Sequence, residues 1–270
     1  MRGVGPLAAH STGRRRFDLS RESESNLVAR RRVGVLVPSA NSTVEPDFVL
    51  AAPKHVTVHA NRIGWEAKNL TEDEAIVDRM NARVEEAASN LAAARVDVIA
   101  YGFATGSFYR GLDYAARLLE RLQKATGVPT VATSPAMVDA LRTFGARRLT
   151  VTSPYPEWNN QRLRAYLEAA GFQVLNVAGE PRAAAGGFPV MSDQEPNDVV
   201  EFCVRVCESR ADALLISCTM WRALEAAGEL ERRLGISVVT ANQATIWAAF
   251  RKLGVSQPIA GLGALLEKLG

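Results

Sequence analysis

The chain of 270 residues is poor in the groups that staple, chelate or anchor a protein. It has three cysteines, Cys203, Cys207 and Cys218, and three histidines, His10, His55 and His59. So few and so clustered cysteines exclude a disulfide framework. They suit a reducing compartment, where a lone thiol can serve chemistry, and a cytoplasmic location is expected. No Cys/His pair has metal-ligand spacing, so no metal is expected. No apolar run approaches the ~20 residues of a membrane span, and no membrane is expected as a partner. An excess of one charge is also missing: 32 Lys and Arg stand against 29 Asp and Glu, for a net charge of +3. The basic residues concentrate before Val33, in Arg14-Arg15-Arg16 and Arg30-Arg31-Arg32. A basic nucleic-acid-binding body is therefore excluded. There is no P-loop and no Gly-x-Ser-x-Gly elbow, and Gly261 and Gly263 do not complete a dinucleotide fingerprint.

Residues 1–30 read as a disordered basic tail, rich in Arg, Ser and Gly and without a sustained period. No apolar stretch of secretory length follows its basic start, and Asp18, Glu22 and Glu24 argue against a transit peptide. From Val33 short apolar runs alternate with helical stretches. Val33–Val37, Val56–Val58, Val96–Tyr101 and Thr130–Ala132 read as strands. Residues 72–94 read as one helix with Ile76, Met80, Val84 and Ala87 on its buried face. Helices are also expected over 112–125 and 135–144.

The pattern then restarts. Arg147–Pro154 resembles Arg31–Pro38 at an offset of 116, and Asp212–Thr219 resembles Asp97–Ala104 at an offset of 115. Gly127-Val128-Pro129-Thr130-Val131 is echoed by Gly235-Ile236-Ser237-Val238-Val239, each followed by a helix closed by Gly145 or Gly254. Three matched segments in one order indicate a duplicated unit. The expected fold is α/β, with two pseudo-symmetric, Rossmann-like halves built on parallel sheets and an active site in the cleft between them. The first half spans 31–145, completed by the C-terminal segment 237–270. The second spans 146–236.

Ligands in such sheets sit beyond the carboxyl ends of the strands. That rule selects the loops Pro38–Thr43, Phe103–Ser107, Ser153–Tyr155 and Cys218–Met220. Cys218 directly follows a buried strand, where a thiol can give or take a proton, or can simply pack as a small hydrophobe. Asn41, Thr105, Ser107, Tyr155 and Thr219 offer neutral hydrogen-bonding groups suited to carboxylate oxygens, although each alone is also ordinary turn chemistry. Asn242 either lines the same cleft or caps the next helix. The residue matching Cys218 in the first half is Phe103, so only one thiol is present. That disfavours a two-base racemase, and Phe103 is expected to shape the pocket.

These loops resemble those of the aspartate/glutamate racemase superfamily, in its maleate isomerase and arylmalonate decarboxylase branch, over roughly residues 31–255. Val37-Pro38-Ser39-Ala40-Asn41-Ser42-Thr43-Val44-Glu45-Pro46 is close to the isomerases' first-loop motif, and Ser107-Phe108-Tyr109-Arg110-Gly111 resembles the decarboxylase. Ser217-Cys218-Thr219 and Ala241-Asn242-Gln243-Ala244 fit the isomerase pattern. The resemblance implies cofactor-free chemistry through an enediolate-like intermediate, with Asn41, Tyr155, Cys218 and Asn242 carried over. It departs at Phe103-Ala104-Thr105, which has neither the isomerases' first thiol nor the decarboxylase's small residue followed by two hydroxyls. Three readings follow. The first is a decarboxylase of a small dicarboxylic acid in which Cys218 protonates the intermediate. The others are a maleate cis-trans isomerase and a non-catalytic carboxylate-binding protein. The resemblance also makes a homo-oligomer an expected possibility.

Overall fold

The computed structural model describes residues 29–64 and 74–269. All but the last two residues of the expected basic tail, 1–30, lie outside the described residues. The first half runs β1 (Arg31–Pro38), α1 (Val44–Ala51), β2 (Val56–Ile63), α2 (Glu74–Asn81), α3 (Val84–Ala93), β3 (Val98–Tyr101), α4 (Ala104–Phe108), α5 (Leu112–Thr126), β4 (Thr130–Ala132) and α6 (Thr133–Thr143). The second runs β5 (Arg148–Ser153), α7 (Glu157–Ala169), β6 (Gln173–Gly179), α8 (Pro181–Asp193), α9 (Pro196–Val206), β7 (Ala213–Ile216), α10 (Ala227–Leu234) and β8 (Ser237–Thr240). Helices α11 (Ala241–Lys252) and α12 (Ala264–Glu267) close the chain.

Each half holds a four-stranded parallel sheet, ordered β2-β1-β3-β4 and β6-β5-β7-β8. The central strands are apolar runs because helices cover both sheet faces. Val33, Val35, Leu36 and Val37 are fully buried, as are Ala213, Leu214, Leu215 and Ile216. The repeat extends to the aspartates that precede the third strand of each half. Asp97 accepts from the Arg32 backbone N–H at 2.7 Å, and Asp212 from that of Arg148 at 2.9 Å. The guanidinium and backbone N–H of Arg148 hold the Asp212 carboxyl down at about 2.

The single helix expected over 72–94 is two, α2 and α3. Between them Arg83 N–H donates to Met80 O, three residues back rather than four. Ile76, Met80, Val84 and Ala87 are nevertheless all buried. The expected return to the first half at residue 237 comes later. Strand β8 pairs with β7 from Ala213↔Ser237 to Ile216↔Thr240, so 237–240 belongs to the second sheet. The chain crosses back only with α11. Thr240 and Gln243 form a capping box at its start. Phe250 then meets Phe48 of α1 edge-on at 6.2 Å, and Thr245 donates to Thr133 Oγ1 of α6 at 3.0 Å.

Candidate active site

The carboxyl ends of both sheets open on a shared cavity. The loop after β1 brings Ala40 and Asn41, and the turn after β3 brings Phe103, Ala104 and Thr105. The second half contributes Tyr155 after β5 and Cys218, Thr219 and Met220 after β7. The four loops selected from the sequence thus meet. Asn41, Phe103, Thr105, Tyr155, Cys218 and Thr219 share the cavity, and no Lys, Arg or His is among its described lining residues.

Two asparagines cross between the halves. Asn41 Nδ2 donates to Thr219 Oγ1 at 3.0 Å, and Asn159 Nδ2 donates to Thr105 Oγ1 at 3.0 Å. Each half supplies an amide to the other half's threonine. A hydroxyl that accepts such a bond directs its own proton elsewhere, so the straps orient both threonines as donors. Asn41 is itself fixed: its Oδ1 accepts from the backbone N–H of Thr43 at 2.8 Å and of Val44, the first residue of α1, at 3.0 Å. Thr43 Oγ1 donates to the Met220 carbonyl at 2.8 Å. Asn159 went unnoticed in the sequence. Its position in the segment after β5, in Pro154-Tyr155-Pro156-Glu157-Trp158-Asn159, was the available signal.

Cys218 is buried, and its backbone has a φ of 156°, at the rim of the region that only glycine enters freely. Its sulfur accepts from Met220 N–H at 3.4 Å. Opposite stands Phe103, 7% exposed, with its ring 6.1 Å from that of Tyr101. Tyr101 donates to Asn81 Oδ1, and Asn81 Nδ2 donates to the Gly106 carbonyl at 2.9 Å. Glycine is required at 106 by space: a Cβ there would collide with Tyr101 Oη and the Phe103 ring. Gly106→Ala is therefore expected to cost about 1–3 kcal/mol by overpacking, seen as a lower Tm. An unchanged Tm would mean that the Phe103 wall is not held as described.

The outer wall was not legible in the sequence. Phe188 and Met191 of α8 face the cavity. Helix α8 is kinked at Gly187, where φ is 67° and ψ −158°, a conformation suited to glycine. Glu180 ties its two ends together, accepting from Ala183 N–H at 2.7 Å and Gln194 Nε2 at 2.6 Å. Gln194 Oε1 accepts from Trp221 Nε1 at 2.5 Å, joining this wall to the segment after Cys218.

Two residues expected in the site stand behind it. The Ser107 hydroxyl bonds the Phe103 and Ala104 carbonyls and Ser134 Oγ, because α4 turns it inward. Asn242 is buried beneath the Cys218 loop. Its Nδ2 donates to the Thr219 carbonyl at 3.0 Å and to Asp47 Oδ2 at 2.7 Å. Asp47 carries no signal in the sequence beyond following Glu45-Pro46.

The chain is 29% identical over 259 residues to the maleate isomerase of Pseudomonas putida, spanning 87% of this chain and 97% of that protein. It is 30% identical over 224 residues to the arylmalonate decarboxylase of Bordetella bronchiseptica, spanning 82% and 90%. The crystal structure of the maleate isomerase Iso from Pseudomonas putida superposes with a TM-score of 0.81 at 24% identity, over 89% of this chain and 99% of that one. That likeness shows the fold. The protein is an enzyme, a decarboxylase or a cis-trans isomerase. Since the family model for arylmalonate decarboxylase also matches residues 33–266, the chain belongs to the arylmalonate decarboxylase family.

Proposed function

We propose that the protein decarboxylates a small, apolar-substituted malonate-type dicarboxylate, with Cys218 protonating an enediolate. The observation that carries this reading is the pairing of Cys218 with Phe103. One half supplies a thiol to the cavity and the matching position of the other supplies an aromatic ring. One thiol suffices to protonate a carbanion, whereas abstraction on one face with delivery on the other needs two.

The rest of the cavity supports the same chemistry. Thr105, Tyr155 and Thr219 form a hydroxyl-bearing side able to hold the carboxylate that remains. Ala40, Phe103, Ala104, Phe188 and Met191 form an apolar side. A carboxylate is disfavoured there relative to neutral carbon dioxide. Heterolysis of the C–C bond releases carbon dioxide and leaves its electron pair on the remaining fragment as an enediolate. The Cys218 S–H proton then goes to the α-carbon, and the thiolate regains a proton from water. No resident cofactor is needed to balance these steps.

Maleate isomerisation is the second reading, favoured by the Asn41 loop and the isomerase relatives. It would require Cys218 to add to the alkene. Intact-protein mass spectrometry on acid-quenched turnover separates the two. Decarboxylation predicts unmodified protein while product accumulates from a substituted malonate. A mass gain equal to maleate on the Cys218 peptide, with fumarate released, would replace the proposal by the isomerase.

A further inference from the structure

Asp47 is a buried acid that the proposed chemistry leaves unused. It lies on α1 with 5% of its surface exposed. Its partner is the Asn242 amide, at 2.7 Å, rather than a cation. The second hydrogen of that amide serves the Thr219 carbonyl at 3.0 Å. At the other end of the amide, Asn242 Oδ1 is buried without a hydrogen-bond partner among the described residues. An orphaned amide oxygen is costly, so something holds the group in this orientation. Turned over, Asn242 would set Oδ1 against two acceptors, the Asp47 carboxylate and the Thr219 carbonyl.

We propose that Asp47 is a positioning residue: as a carboxylate it locks the Asn242 amide as a double donor, and through the Thr219 carbonyl it fixes the loop that carries Cys218. This rests on the reading of Cys218 as proton donor. Burial pushes the Asp47 carboxyl up to about 7, against the pull of the Asn242 hydrogen bond. The charged groups that face it, Glu225 and Arg222, act in opposite directions. Arg222 is itself tied to Glu225 at 3.0 Å and Glu195 at 2.9 Å. Once protonated, Asp47 presents an O–H to the amide. Asn242 then gains by turning Oδ1 toward it, and the Thr219 carbonyl loses its donor.

The linkage has a definite sign. A carboxyl raised in the fold holds its proton more tightly there than in the unfolded chain. Its charge therefore costs stability. The cost is absent below the ordinary value of 3.8, grows as pH rises and is complete above about 7. Asp47 would thus lower stability in the same form that positions the loop.

Two variants test this. Asp47→Leu removes the acceptor and is expected to lower kcat on a substituted malonate by about tenfold or more, the scale of a misplaced reacting group, with KM near native. Asp47→Asn keeps an acceptor for the Asn242 amide without the titration. It is expected to restore most of kcat and to lose the decline of native activity below about pH 7. It should also melt above native at about pH 8, with the gap narrowing toward about pH 5. A substrate-free readout accompanies these: the rate at which iodoacetamide alkylates the Cys218 peptide, followed by mass spectrometry, shifts in Asp47→Leu and not in Asp47→Asn. If no dicarboxylate is turned over, the functional reading fails while the alkylation rates still decide the role of Asp47. The inference is overturned if Asp47→Asn keeps the native acid decline, or if Asp47→Leu leaves kcat and alkylation unchanged. Should Asp47→Leu not fold, the Asp47→Asn profiles decide alone.

Discussion

Cys218→Ala is expected to lower kcat by about 10²–10⁴-fold, the contribution of a positioned general acid, with KM changed by no more than a few-fold. The asymmetry follows from the division of labour in the cavity. In the proposed reading the hydroxyls of Thr105, Tyr155 and Thr219, which line the cavity, hold the carboxylate oxygens, so binding is expected to survive without the thiol. The proton for the α-carbon has Cys218 as its proposed source. The loop itself should remain in place, because Asn41, Thr43 and Asn242 bond Thr219 and Met220 rather than the sulfur. Cys218→Ser should behave almost as badly, since a hydroxyl is a far weaker acid than a thiol. Full activity in Cys218→Ser would remove the thiol from the mechanism.

Phe103→Cys should convert a one-handed enzyme into one that scrambles its product. Phe103 and Cys218 occupy matching positions of the repeat, 115 residues apart, after β3 and β7. Both line the cavity. With the native pair, an enediolate bearing two different substituents receives its proton from one face only. The expected product is a single hand that does not exchange its α-hydrogen. A thiol at 103 places a second acid and base on the opposite side. The variant is then expected to exchange the α-hydrogen of the monoacid and to drive it toward a racemate, read by chiral chromatography and deuterium uptake. The substitution also removes a ring packed on Tyr101. Loss of a buried aromatic costs up to about 3–5 kcal/mol, so a lower Tm should accompany the new activity. A folded variant that still gives one hand would mean that residue 103 does not face the reacting carbon.

What the sequence revealed, and what it hid, follows from burial. Central strands read clearly because parallel strands covered on both faces are unbroken apolar runs, as at Val33–Val37 and Ala213–Ile216. The repeat then located the loops at their carboxyl ends. Strand β6 escaped because it is an edge strand, only half-buried over most of its length. Helix α8 carries Phe188 and Met191 to the cavity, but Gly186, Gly187 and Pro189 are poor helix formers and leave it without a helical signature. Ser107 and Asn242 were found as polar residues after strands, but position alone does not reveal where a side chain turns. Ser107 bonds carbonyls at the start of its own helix, and Asn242 reaches the Thr219 carbonyl. The straps from Asn41 and Asn159 span 178 and 54 residues, so no local pattern could announce them. The return of the chain at Ala241 rather than Ser237 was a matter of strand pairing, which the apolar run Ser237–Val239 does not encode.

Decarboxylation with protonation by Cys218 is read directly by a proton NMR time course in deuterated buffer, with purified enzyme and a panel of substituted malonates together with maleate. The expected product is a monoacid carrying deuterium at its α-carbon, formed faster than in an enzyme-free control and lost in Cys218→Ala. Fumarate appearing from maleate while every malonate stays intact would contradict it.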